Sequence, residues 1–162
     1  MISVRVKRRS ILPLSRFQRG PKVVNSVLGL VGPKAALKHP GSRLTNAQIG
    51  VIHELGTSRI PARHWFQISF KAVQPGLLRE YRKLIKSQLA NKRPNLYAMA
   101  TSISKTAQRR IRLYMTRGPH FRPALSPSTI ARKRKTSIDP TRPVFETGML
   151  AAAVEYQIIG QP

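Results

Sequence analysis

His53-Glu54 is the pair in this chain that comes nearest to a catalytic motif. In a helix, His-Glu followed one turn later by a second histidine holds zinc, and the glutamate activates water. The position that would carry the second histidine is Thr57, so the motif fails. His39, His64 and His120 have no ligand spacing, and no metal site is expected. Glu54, Glu80, Asp139, Glu146 and Glu155 are scattered, which leaves no paired carboxylates for general acid and base work. There is neither a G-x-x-x-x-G-K-[ST] phosphate loop nor a G-x-S-x-G nucleophile turn. The lack of cysteine removes disulfides, thiolate zinc sites and thiol nucleophiles, and fits maturation in a reducing cytoplasm. The expectation is a protein that is not an enzyme and needs no cofactor. Glu54, close in sequence to Arg59 and Arg63, then reads as a structural acid holding a loop by a charge-assisted hydrogen bond.

Charge is the strongest compositional signal. Thirty Lys and Arg stand against five Asp and Glu in 162 residues, a formal net charge of +25. Self-repulsion of that size opposes compaction unless polyanions or acidic partner subunits neutralise it. The first 22 residues carry Arg5, Lys7, Arg8, Arg9, Arg16, Arg19 and Lys22 without an acid, and read as a basic arm preceding a single domain over residues 23–162. Candidate contacts to duplex DNA or to an acidic partner are Arg5, Lys7, Arg8, Arg9, Arg109, Arg112, Arg132, Lys133, Arg134 and Lys135. Specific base reading has little support, because aromatics are 6% of the chain and no RNP or zinc-finger pattern occurs. A 41% apolar content supports one core, while 13 prolines and 10 glycines imply long connections. No apolar run approaches the ~20 residues that cross a bilayer, and the basic start lacks a following apolar stretch, so neither a membrane span nor secretion is expected.

The elements follow from periodicity and punctuation. Alternation over residues 2–6 suggests an edge strand, and the β-branched run 23–31 a buried one. Residues 34–42, bounded by Pro33, Pro40 and Gly41, read as loop. Thr45 caps a helix over 46–55 with Ile49, Ile52 and Leu55 on one face, and Gly56 stops it in a left-handed turn. A second helix over 76–90 shows the stripe Leu77, Tyr81, Leu84, Ile85 and Leu89. A third begins after Pro94 and carries Leu96, Met99, Ala100, Ile103, Ala107, Ile111 and Tyr114 until Gly118-Pro119 ends it. Ser126-Pro127 opens a short helix running into Arg132 to Lys135, Thr147 caps another over 148–152, and residues 154–159 alternate as a closing strand.

Three of these stretches, in order, resemble a known family. TNAQIGVIHELGTSRIPARHWF (residues 45–66) is similar to a segment of tail-completion and neck proteins of tailed bacteriophages: a helix, Glu, Gly-Thr, then Ile-Pro-x-Arg and an aromatic. LSPSTIARKRK (125–135) and PVFETGMLAAAVEYQI (143–158) resemble that family's Leu-Ser-Pro-x-Thr helix start and its Leu-x-x-Thr-Gly-x-Leu turn into a final strand. His64 stands where the family more often has Pro, Val144-Phe145-Glu146 replaces Leu-Ile-Asp, and the basic arm has no counterpart.

The resemblance implies an α+β fold, a mostly antiparallel sheet packed on two long amphipathic helices with extended loops. It also implies a non-enzymatic structural component of the head-to-tail connector: a virion protein, assembled in the host bacterial cytoplasm, that forms a ring around the DNA channel. The implied partners are further copies of itself, head-closure, tail-terminator or tail-tube subunits, and the duplex in the channel. Mechanically, Gly56 stops a helix, Pro61 stiffens a turn and Arg63 forks onto a carboxylate or carbonyls. The loop bearing Glu54, Gly56, Thr57, Ile60, Pro61, Arg63 and Trp65 would then be a preorganised projection to a partner. Ser126, Thr147 and Gly148 would cap helices and fix the last strand. The alternative, resting on charge alone, is a general nucleic-acid-binding protein of ribosomal or chromatin-like type.

Overall fold

The computed structural model describes residues 24–90, 95–119, 121–137, 139–144 and 147–159. The strand expected at 2–6, the arm with Arg5, Lys7, Arg8 and Arg9, and Pro94, His120, Phe145 and Glu146 lie outside those residues, as does the side chain of Leu89. In chain order the elements are β1 (Asn25–Gly29), α1 (Pro33–Ala36), α2 (Asn46–Leu55), α3 (Trp65–Ala90), α4 (Leu96–Arg117), α5 (Pro127–Lys133), α6 (Met149–Ala152) and β2 (Glu155–Ile159). The fold mixes helix and strand, with two long helices as expected. Its sheet is antiparallel but small among the described residues: β1 pairs with β2 in a register that sets Asn25 opposite Ile159 and Gly29 opposite Glu155.

β1 is not the buried strand that its composition suggests. Side chains alternate across a strand, and helix covers one face of this ribbon. Leu28 packs on the core and the Ser26 hydroxyl bonds that of Ser104 on α4, whereas Val27 is 40% exposed. The 34–42 stretch also differs from expectation, since Pro33 begins the short helix α1. α2 matches its expected bounds. Thr45 Oγ1 accepts from Gln48 N at 3.2 Å and Gln48 Oε1 accepts from Thr45 N at 2.9 Å, a reciprocal cap. Leu55, expected on its inner face, is exposed.

α3 begins at Trp65 rather than at residue 76, and Pro75 lies inside it. Proline removes one helical donor and crowds the preceding turn, which is why it reads as a boundary. The cap at the start of α3 comes from the preceding helix. Glu54 accepts from Phe66 N at 2.8 Å and Gln67 N at 3.3 Å, so an acid of α2 satisfies the first amides of α3. Of the expected stripe on α3, Leu77 is buried, Leu84 and Ile85 are half-buried, and Tyr81 is exposed. α4 starts on Asn95, whose Oδ1 accepts from Ala98 N at 2.9 Å. Its buried face is Met99, Ser104, Ala107, Ile111 and Met115, with Leu96, Ala100, Ile103 and Tyr114 half-buried beside it.

α3 and α4 pack along each other, and the core gathers where α3 begins and α4 ends. Trp65, Ile111, Met115, Phe121, Leu150, Ala151 and Val154 form it. The Trp65 indole donates to Gly50 O at 2.8 Å. A Cβ on Gly50 would displace the end of the Leu30 side chain and sit in ordinary contact with Leu150, at 3.4 Å.

Candidate functional site

The turn between α2 and α3 is closed by its own backbone. Thr57 N donates to Ile60 O at 2.7 Å, Thr57 Oγ1 accepts from Ile60 N at 3.0 Å, and Arg63 N donates to His53 O at 2.8 Å. Gly56 has φ 79 and ψ 179, and a Cβ on it would lie 2.6 Å from Ala62 N. Positive φ and close approach both demand glycine there. Thr57, Arg59 and Pro61 are exposed and Ile60 is half-buried, so the turn is a preorganised protrusion.

Of the residues expected at its contact surface, Trp65 and Arg63 lie inside instead, and Glu54 is half-buried and turned to backbone. Trp65 is 2% exposed, committed to the core by its size and by its bond to Gly50. Arg63 is 4% exposed and takes the carbonyl alternative, with Nε donating to Pro123 O at 3.1 Å and Nη1 to Pro61 O at 3.4 Å. Burial lowers its pKa from the ordinary guanidinium value. Glu54 meets backbone amides of α3 rather than Arg59 or Arg63, because those amides lack helical partners and α2 ends beside them.

The expected cationic surface divides in the same way. Arg109, Arg132, Arg134 and Lys135 are exposed. Arg112 instead reaches the turn between α6 and β2, with Nε donating to Val154 O at 3.0 Å and Nη2 to Ala152 O at 2.8 Å. Lys133, 6% exposed, donates from Nζ to Arg142 O at 2.7 Å. Both cations are spent on backbone carbonyls that helix or strand bonding leaves free. Arg142 was not singled out by sequence, yet it is 8% exposed and ties Gly118 O (Nη1, 2.7 Å) to Asp139 Oδ2 (Nε, 3.3 Å). The available signal was Asp139 three residues earlier across Pro140.

Ser126 caps α5 as expected, accepting from Thr129 N at 3.3 Å. Gly148 holds the N-cap position of α6 at φ 77, as one of the expected caps, and has no side chain to bond the helix. The Thr147 hydroxyl, one residue before that position, accepts from the first helical amide, Met149 N, at 3.4 Å.

Between the 39–44 turn, α2, α5 and the start of α6 runs a groove of about 660 Å³. Its floor is Ile49, Ile52, Ile60, Leu125 and Leu150, and Arg132 and Lys135 stand at its edge. A smaller cavity of about 340 Å³ adjoins it beneath the turn, between His53, Arg63 and Arg132. His53 lines both. Its pKa falls to about 4, chiefly because burial penalises the imidazolium and further through Arg63, Lys133 and His39, so the ring is neutral at pH 7. Its Nδ1 is buried without a hydrogen-bond partner among the described residues.

No family model, no curated protein and no solved structure matches this chain. The functional reading therefore rests on residues and geometry. Among the described residues no group of three His, Cys, Asp or Glu is placed to hold a metal ion, and no helix is long and apolar enough to cross a membrane. What the site brings together is an apolar floor, exposed cations and a rigid turn, groups suited to noncovalent recognition.

Proposed function

We propose that this chain is a non-enzymatic structural component of the phage head-to-tail connector, a tail-completion or neck protein that forms a ring around the DNA channel in the virion. The observation that carries the reading is convergence. The first of the three stretches that resemble the family lies far in sequence from the other two, yet all three line one groove: Ile49, Ile52 and Ile60 from the first, Leu125 and Arg132 from the second, Leu150 from the third. Arg63 adds a direct tie from the first stretch to the segment leading into the second, through Pro123 O. In this reading the exposed tip, Thr57, Arg59 and Pro61, meets neighbouring subunits, and the charge of +25 is neutralised within the assembly. A ring requires a heterologous contact, one patch on each copy meeting a different patch on the next.

The test is the assembly state of the purified chain at physiological salt, followed by light scattering and negative-stain imaging. Closed rings, alone or with phage neck and tail proteins, are the expected result. Strictly monomeric protein in both cases would overturn the proposal. The exposed cations Arg109, Arg132, Arg134 and Lys135 favour a second reading, general nucleic-acid binding. Duplex affinity that ignores sequence and falls with salt at a slope of about −0.9 per phosphate contacted, without any ring, would favour that reading instead.

A further inference from the structure

The groove floor is apolar surface left partly open to water. Ile49, Ile52, Ile60 and Leu125 are each half-buried, although they surround one depression of about 660 Å³. Water there is held against aliphatic side chains, so an occupant that replaces it with apolar atoms gains free energy. The edge restricts what that occupant can be. Arg132 and Lys135 are exposed cations, and no acid stands among the described residues that line the groove. The acids among the described residues are engaged elsewhere: Glu54 on the amides of α3, Glu80 near Arg110, Asp139 with Arg142 and Glu155 with Lys34.

We infer that this groove is a receptor for an extended acidic segment of a partner protein, one in which carboxylates alternate with aliphatic side chains. The aliphatic residues would fill the Ile49–Leu125 floor while the carboxylates meet Arg132 and Lys135 at the edge. Nucleic acid fits less well. No Phe, Tyr or Trp stands among the described lining residues to stack a base, and a phosphate backbone has nothing to place on an aliphatic floor. The chain's own first 22 residues are equally unsuited, since they carry seven cations and no acid. The inference rests on the connector reading only for a source of the partner, not for its chemistry.

The probe is a fluorescein-labelled peptide of alternating Glu and Leu, titrated into the purified full chain and followed by anisotropy. Saturable binding is expected, weakened at least tenfold in R132E/K135E. The charge-matched pair R79E/K83E, two exposed positions on α3, should change it less than threefold. Both variants should melt as the parent does. An oligo-glutamate peptide that binds equally well would overturn the inference by showing charge attraction alone, as would equal losses in the two variant pairs. Displacement of the peptide by duplex DNA, with DNA affinity also lost in R132E/K135E, would overturn it in favour of nucleic acid. Because the peptide is tested on the isolated chain, the inference can fail while rings form, and rings can fail while the peptide binds.

Discussion

The buried face of α3 is covered more fully at its start than further along. At its start Trp65 is 2% exposed beneath Met115, Phe121, Leu150 and Val154. Toward its end Leu78 and Tyr81 are 47% and 45% exposed, and Leu84 and Ile85 are half-buried against α4. The helix does not change character along its length; its surroundings do. Near Trp65 the α2 helix, Phe121, α6 and Val154 add a further layer, whereas α4 runs beside the later turns. Periodicity states which side chains share a face. Whether anything covers that face depends on segments remote in sequence.

The comparison breaks first at Trp65. Trp65→Ala removes the largest buried side chain and leaves Gly50 O without its donor, so it should cost about 3 to 5 kcal/mol in urea unfolding. A loss near 1 kcal/mol would make this end no denser than the other.

Acid offers a second way to probe the same end. His53 has a folded pKa of about 4 against an ordinary 6.5, so the unfolded chain binds more protons between those values. Its contribution is therefore complete above about pH 6.5 and is lost as pH falls toward 4. The shift bounds that loss at about 3 kcal/mol. His53→Gln should flatten the difference between unfolding at pH 7 and at pH 4.5. An unchanged difference would assign the acid sensitivity to the carboxylates.

Gly56→Ala should have a smaller effect, about 1 to 3 kcal/mol, through positive φ and the approach to Ala62 N. It acts on the turn more than on the core, so hydrogen exchange at Thr57, Ile60 and Arg63 should rise more than at Ile111. Uniform acceleration would mean that the turn and the core open as one unit.

Local chemistry was the most legible part of this molecule. The capped helix 46–55, the Ser126-Pro127 start and the closing strand follow from caps, Gly and Pro, which act over a few residues. The beginning of α3 was hidden because its cap, Glu54, lies in another helix, while Pro75-Gly76 is the stronger local signal for a boundary. The candidate site was legible as a set of segments and misread in the direction of its side chains. Arg63, Arg112 and Lys133 look like surface cations in a chain with so few acids, and their carbonyl partners Pro123, Val154 and Arg142 belong to other segments. The rigidity of the turn could be inferred from Gly56 and Pro61. Its neighbouring groove could not, because its walls join only in the fold.

The smallest effect expected is at the exposed end of α3. Leu78 and Tyr81 are three residues apart and so lie on one side of the helix, each nearly half open to water. If the isolated chain leaves them uncovered, Leu78→Ala and Tyr81→Ala should each change stability by less than about 0.5 kcal/mol, since exposed substitutions away from caps and buried partners do little. A loss above about 2 kcal/mol would mean that something covers this face in solution. Protein concentration then separates the sources: cover supplied by another copy makes the melting temperature rise with concentration, whereas cover from within the chain does not. A small effect at low concentration that grows as the chain associates would place this end of α3 in the contact between copies. The contrast between the two ends would then be one between a face covered by folding and a face covered by assembly.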